Sequence, residues 1–253
     1  MTPSYIYGTA WKEERTQPLV ELALREGFRA IDTANQRRHY DEAAVGAAIR
    51  GADVFVQTKF TYVESQDSRL PYDPRADYPT QVRQSFQSSL EHLGRIDCYL
   101  LHGPRTRAGF SAIDRDVWQA MEELTIDKIG VSNVTAEQVE TLLKFAEKRP
   151  SVVQNRCFAQ TGWDRDVRDV CRREGITYQG FSLLTANVRE LGHPRIRTIA
   201  ARHHATVPQI VFAFARQIGM TILTGTTNAQ HMREDLASAN IKLSAEEVLE
   251  FKP

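Results

Sequence analysis

Three polar residues stand where apolar runs stop, and together they have a use at a carbonyl group. Asp32 closes GFRAID, Lys59 follows VFVQT, and His102 follows CYLL. A carboxylate can hold an ammonium beside it, and that cation lowers the pKa of a neighbouring phenol. An unperturbed tyrosine titrates at about 10 and is a poor acid at neutral pH, so a cation and a histidine supply the tuning that general-acid chemistry needs. The phenol this asks for is Tyr40, in the crowded stretch AIDTANQRRHYDEAAVG, residues 30 to 46. Taken singly, the residues have plainer readings: Lys59 snorkelling to solvent, His102 as a hydrogen-bonded core histidine, Asp32 as a turn former and the stretch around Tyr40 as a solvated loop.

These side chains act together only if the chain brings the ends of its apolar runs to one place. Eight short β-rich runs recur: Tyr5 to Gly8, Arg29 to Asp32, Val54 to Thr58, Ile96 to His102, Lys128 to Val131, Val152 to Gln154, Thr177 to Phe181 and Thr221 to Leu223. Between them lie segments with apolar residues at three-to-four spacing, such as Leu19, Leu22, Ala23 and Leu24 before Gly27, and Val139, Leu142, Leu143 and Phe145 before Pro150. Thr135-Ala136-Glu137-Gln138 and Ser244-Ala245-Glu246-Glu247 have capping-box form. Eight strand–helix units in 253 residues match an α/β fold of the (β/α)8 or TIM-barrel type, a single domain over residues 1–253. A doubly wound sheet is the competitor, but Gly8-Thr9-Ala10-Trp11 after the first strand is no G-x-G-x-x-G loop. Active sites of barrels sit at C-terminal strand ends. The polar residues there are Thr9, Asp32, Lys59, His102, Ser132 with Asn133, Gln154, Ser182 and Thr224.

Lys plus Arg equals Asp plus Glu at 32 each, so no net field favours nucleic acid or an anionic membrane, and a small molecule is the expected partner. Cys98, Cys157 and Cys171 lack C-x-x-C spacing, which argues against a zinc site or a disulfide framework. MTPSYIYGTA has neither a basic n-region nor a long apolar h-region, and no apolar run approaches the roughly 20 residues of a membrane span. The expectation is a soluble cytoplasmic protein, monomeric or weakly homo-oligomeric.

GFRAIDTA with Tyr40 and EAAVGAAI, then QTKF, IDCYLLHGP, IGVSNVTAEQVETLL, VVQN, FSLL and GTTNAQHMREDL follow one another in a telling order and at compatible spacing. From about Gly8 to Leu236 the chain resembles the aldo-keto reductases. The resemblance implies reduction of an aldehyde or ketone by a nicotinamide dinucleotide held without a Rossmann domain. It implies a tetrad of Asp32, Tyr40, Lys59 and His102, with Tyr40 the general acid, Lys59 lowering its pKa, Asp32 fixing Lys59 and His102 orienting the carbonyl. It further implies Ser132, Asn133 and Gln154 around the carboxamide, with Thr9 nearby. Phe181 would stack on the nicotinamide where the family usually has tyrosine, and Ser182, Leu183 and Leu184 would run beside the pyrophosphate.

Three departures from the family pattern bear on function. The family's Lys-Ser and later Arg, which bind the 2′-phosphate of NADPH, correspond to Gly225-Thr226 and His231, leaving Thr226, Thr227 and backbone amides for that task. NADPH remains the expected cofactor, with NADH possible. Glu234 and Asp235 fall where the family reads adenine with Glu-Asn, and both have a second reading as solvated helix charges. Trp11 keeps the aromatic that lines the substrate pocket, but the segment between Glu123 and Ile129 is short and little chain follows the last helix, which predicts an open mouth or one completed by another subunit. The stretch from Phe60 to Pro79, with Tyr62, Tyr72 and Tyr78, reads either as a cover for the substrate or as a mobile surface loop. Phe158 and Trp163 read either as pocket wall or as packing. The loop after Asp32 is longer than usual, so that family spacing counted from Glu42 lands on His39 rather than Tyr40. A phenol fits the acid–base chemistry, which selects Tyr40.

Two other functions use the same residues. A nicotinamide-binding regulatory or sensor subunit would keep the barrel with little turnover, and the complete tetrad argues against it. An aldolase-like reaction would use Lys59 as a Schiff-base nucleophile, and the neighbouring Asp32 favours a permanently charged ammonium instead.

Overall fold

Short buried strands that alternate with amphipathic helices close here into a parallel barrel. The computed structural model describes residues 3–251. Its strands are β1 Tyr5–Gly8, β2 Ala30–Asp32, β3 Phe55–Phe60, β4 Cys98–Leu101, β5 Ile129–Ser132, β6 Val152–Arg156, β7 Thr177–Phe181 and β8 Thr221–Thr224. Each pairs in parallel with its sequence neighbours, and β8 returns to β1. The eight runs expected from the sequence are therefore the eight strands, with ends moved by one or two residues. The helices are α1 Thr16–Glu26, α2 Glu42–Ile49, α3 Tyr78–Leu93, α4 Ala112–Glu122, α5 Ala136–Phe145, α6 Arg165–Glu174, α7 Val188–Leu191, α8 Pro194–Arg202, α9 Val207–Gln217, α10 Ala229–Ala237 and α11 Ala245–Leu249. Both capping boxes form: Thr135 opens α5 and Ser244 opens α11. Among the described residues no helix is long and apolar enough to cross a membrane.

Strand alternation divides the core in two. Outward residues such as Ile31, Val56, Phe60, Tyr99, Leu101, Val131 and Val153 join the large cluster packed under the helices. Inward residues form a separate small cluster of Cys98, Leu100 and Val152 with Phe55 against it. Along β3 the inward positions run Phe55, Gln57, Lys59, so the interior turns from apolar to polar towards the C-terminal ends. The sequence offered no signal that Gln57 and Gln179 would occupy that transition.

The EAAVG segment proves to be a packing device. Gly46 of α2 lies against the His92 carbonyl at the end of α3, where even a Cβ would clash. Glu42 is buried, accepts a hydrogen bond from Thr58 Oγ1 and pairs with His92 Nδ1 at 3.2 Å. α2 is thereby fixed against both β3 and α3, and Tyr40 stands two residues before it.

Candidate active site

β2 and β3 run side by side in register, which brings Asp32 and Lys59 together at the C-terminal end of the barrel. Lys59 Nζ donates to both Asp32 carboxylate oxygens at 2.7 Å and to the Thr33 carbonyl at 2.8 Å. Both side chains are buried, at 1% and 3% exposure, so the plain reading of Lys59 as a solvent-seeking chain fails. Three acceptors saturate the three N–H donors of this buried ammonium.

Beneath this pair lies a ring of amides. Asp32 Oδ1 also accepts from Gln57 Nε2 at 2.6 Å and from Gln154 Nε2 at 3.0 Å. Gln57 and Gln179 exchange hydrogen bonds at 2.7 and 2.9 Å, and Gln154 Nε2 reaches Gln179 Oε1 at 2.9 Å. Strands β2, β3, β6 and β7 thus meet across the barrel at one polar layer. Sequence reading missed Gln57 and Gln179, although both stand at inward positions that apolar residues would otherwise fill.

The loop after β2 settles which of two neighbours reaches the site. The Gln36 carbonyl accepts the amides of both His39 and Tyr40, at 3.1 and 3.0 Å, and Asp41 caps α2 through Ala44 N. His39 is drawn away: its carbonyl accepts from Trp11 N at 2.8 Å and its ring lies 3.6 Å from the Trp11 ring centroid. Tyr40 turns inward. Lys59 Nζ is 5.5 Å from its ring centroid, and the His102 ring stands edge-on at 6.1 Å. The expectation that Lys59 depresses this phenol meets an opposing balance, because burial pushes the Tyr40 phenol up and the Asp32 charge adds to it. The Lys59 charge is already matched by Asp32, so little of it remains to act on the ring.

His102 follows β4 and is kept neutral. Burial, then the Lys59 and His39 charges, push its pKa down to about 3. Its Nδ1 is 2.7 Å from Thr61 Oγ1, and its carbonyl accepts from Asn133 Nδ2 at 2.8 Å. A hydroxyl donating to Nδ1 leaves Nε2–H as a donor.

A cavity of about 700 Å³ runs from Tyr40 and His102 to the start of α10. Of the residues anticipated for cofactor and substrate, Trp11, Ser132, Asn133, Gln154, Phe181, Ser182, Leu183, Leu184, Gly225, Thr226, His231, Glu234 and Asp235 line it. Thr9 and Thr227 do not. Thr9 is fully buried and its Oγ1 donates to the Asp32 carbonyl at 3.0 Å, while Thr227 is exposed. Asp235 is no solvated helix charge: it is 3% exposed, accepts from Thr224 Oγ1 at 2.9 Å, and burial pushes its carboxyl up to about 6. Trp11, Asn133 and Ser182, each just past a strand end on this cavity, hold left-handed backbone with φ of 60°, 58° and 57°. Such strain persists where surrounding structure imposes it and clusters at ligand sites.

Sequence reading also missed Lys12 and Arg156 on the cavity wall. Lys12 is 7% exposed and its Nζ donates to the Gly225 carbonyl. A Cβ at Gly225 would stand 2.9 Å from the Gly8 carbonyl oxygen and 3.5 Å from Lys12 Nζ. The closeness of β1 to β8 therefore explains the glycine, and the cation at that point comes from the β1 side. Of the two aromatics after β6, Trp163 resolves as packing, whereas Phe158 is exposed. Trp163 is buried, donates to the Phe251 carbonyl at 2.7 Å and packs on Phe214, and neither it nor Phe158 lines the cavity.

A saturated ammonium, a half-buried phenol and a neutral imidazole at the mouth of a barrel suit proton transfer to a carbonyl oxygen, chemistry that barrel oxidoreductases use. Residues 5–252 match the Aldo/keto reductase family model, and the chain belongs to that family. It is 30% identical to deoxymugineic acid synthase 1-D of Triticum aestivum, over 96% of this chain and 84% of that one. It is 28% identical to the glyoxal reductase of Bacillus subtilis, over 90% and 79%. An aldo/keto reductase structure from Brucella melitensis superposes with a TM-score of 0.81 at 25% identity, covering 98% of this chain and 93% of that one. The family is one of carbonyl-reducing oxidoreductases that generally draw on nicotinamide cofactors.

Proposed function

We propose that the protein reduces an aldehyde or ketone to an alcohol with NADPH, Tyr40 supplying the proton. The observation that carries this is the convergence of Lys59, held by Asp32 and Thr33, with the Tyr40 ring at 5.5 Å and the neutral His102 beside it. A bound nicotinamide supplies the hydride. Tyr40 stays protonated at neutral pH, which is the form a general acid needs, and its hydroxyl proton passes to the carbonyl oxygen as that oxygen gains charge. The Lys59 ammonium, matched by Asp32, keeps its place beside the ring, and the phenolate left behind regains its proton from solvent. His102 Nε2–H donates to the same oxygen and polarises it.

The cavity fits a dinucleotide. Gln154 has its amide nitrogen committed to Asp32 and Gln179, which leaves its carbonyl oxygen for a carboxamide N–H. Phe181 offers a ring face, and Ser182 to Leu184 line the path towards Thr226 and His231. Lys12 is the buried cation beside Gly225 and supports NADPH despite the missing lysine there. A charge-assisted contact of about 1.5–3 kcal/mol predicts that Lys12→Met weakens NADPH binding by about ten-fold or more in a fluorescence titration. An unchanged affinity would remove Lys12 from that role.

Tyr40→Phe tests the acid. The variant should bind NADPH with near-normal affinity by calorimetry while kcat falls by at least about a hundred-fold. Full retention of carbonyl reduction by Tyr40→Phe would refute the assignment. Cofactor binding by the natural chain with no loss of absorbance at 340 nm across a broad aldehyde panel would instead favour a sensor subunit.

A further inference from the structure

β5 stops at Ser132, and Asn133, on the cavity wall, turns left-handed with φ of 58°. The peptides on either side of that turn are held from β6. Asn133 N donates to the Gln154 carbonyl at 3.0 Å, and the next residue, Val134, meets a side chain where a longer strand would offer backbone. Asn155 Oδ1 accepts from Val134 N at 3.0 Å, and Asn155 Nδ2 donates to the Val134 carbonyl at 2.7 Å. The other Nδ2 hydrogen goes to Asp164 Oδ2 at 2.8 Å, the oxygen that also accepts from Tyr178 Oη at 2.8 Å. This amide has one workable orientation, because reversing it would set its oxygen against both the Asp164 carboxylate and the Val134 carbonyl. Asn155 is 5% exposed and does not line the cavity.

Asp164 reaches Asn155 through a strained turn. Gly162, Trp163 and Asp164 are left-handed in succession, with φ of 64°, 59° and 56°. Arg168 holds the turn: its Nε donates to the Trp163 carbonyl at 2.7 Å and its Nη2 to the Gly162 carbonyl at 3.3 Å. Two consecutive non-glycine residues in that region are unfavourable, and they persist where the surroundings impose the placement they achieve. The placement here is a carboxylate aimed at the Asn155 amide.

We propose that Asn155, anchored by Asp164, is a positioning residue that sets Asn133 for the nicotinamide carboxamide. The inference rests on the nicotinamide-dependent reductase reading. Asn133 Nδ2 is occupied by the His102 carbonyl at 2.8 Å and Ser132 Oγ at 3.1 Å, which leaves Asn133 Oδ1 to accept from a carboxamide N–H. Where that oxygen stands follows from the left-handed angle at Asn133, and the angle is kept while Val134 is held. Without the Asn155 side chain the turn relaxes and carries the Asn133 amide away from the nicotinamide. The effect is therefore confined to one end of the dinucleotide.

Two ligands separate this role from a merely structural one. NADP⁺ carries the nicotinamide, whereas adenosine 2′,5′-bisphosphate keeps only the adenosine end. By calorimetry, Asn155→Ala should weaken NADP⁺ binding by about five- to ten-fold, the loss of one or two hydrogen bonds, and leave the bisphosphate within about two-fold of its natural affinity. Asp164→Asn keeps the shape, removes the charge that orients Asn155 and should give a smaller loss of the same kind; it carries the test if Asn155→Ala does not fold. Equal weakening of both ligands, or NADP⁺ binding untouched in every variant that folds, overturns the positioning role. The reductase reading fails differently: a natural chain that binds neither NADP⁺ nor NAD⁺ has no nicotinamide site, and the role of Asn155 falls with it.

Discussion

At the Tyr40 phenol, burial and the Asp32 charge act against deprotonation, and the matched Lys59 does little to reverse them. The proposed acid therefore stays loaded with its proton well above neutrality, and kcat for reduction should hold level from pH 6 to 9. His102, pushed down to about 3, adds no acidic limb in that range. A stopped-flow pH profile with a decline centred near pH 8 would contradict both statements. Asp235 gives a stability test. Its folded-state pKa, about 6, lies above the ordinary 3.8, so the folded chain holds the proton more tightly than the unfolded chain. Its contribution is most favourable below about pH 4, is lost as pH rises through about 6, and is level beyond. Asp235→Asn keeps an acceptor for Thr224 and removes that loss, raising stability above pH 6 by on the order of 2 kcal/mol, with no gain at pH 4. Urea unfolding at both pH values checks it.

At the scale of elements, the turn from Asp32 to α2 decides whether Tyr40, the proposed acid, faces Lys59. Its length alone left His39 and Tyr40 in competition, because sequence spacing does not tell which residues of a turn are spent on closing it. Two amides donated to Gln36 and the Trp11–His39 contact close the turn so that Tyr40 faces Lys59. Asp41 then starts the helix, accepting from Ala44 N at 3.1 Å. Asp41→Ala should cost about 1 kcal/mol of stability, and kcat should fall by several-fold because Tyr40 is the adjoining residue. Asp41→Asn should restore both, which separates lost capping from lost charge. Legibility was highest where periodicity speaks: the eight strands and both capping boxes follow from apolar spacing and from Thr135 and Ser244.

For the whole molecule, closure of the barrel sets both stability and site. Gly130 of β5 has room for no side chain: a Cβ would stand 2.5 Å from the Val152 carbonyl oxygen of β6. Backbone cannot yield as a side-chain tip does, so Gly130→Ala should destabilise by about 1–3 kcal/mol, read as a lower urea midpoint with an unchanged slope. Gln57→Leu should cost about 1–3 kcal/mol by stripping an acceptor from the buried Gln179 amide. Sequence by itself determined the barrel, the positions of Asp32, Lys59 and His102 at strand ends, and the family, because these depend on local period and on motif order. Only the tertiary structure decided the amide ring under Asp32, the Lys12 cation at Gly225 and the burial of Asp235. Each of those depends on strands distant in sequence meeting across the barrel, and neither spacing nor composition carries a register between them.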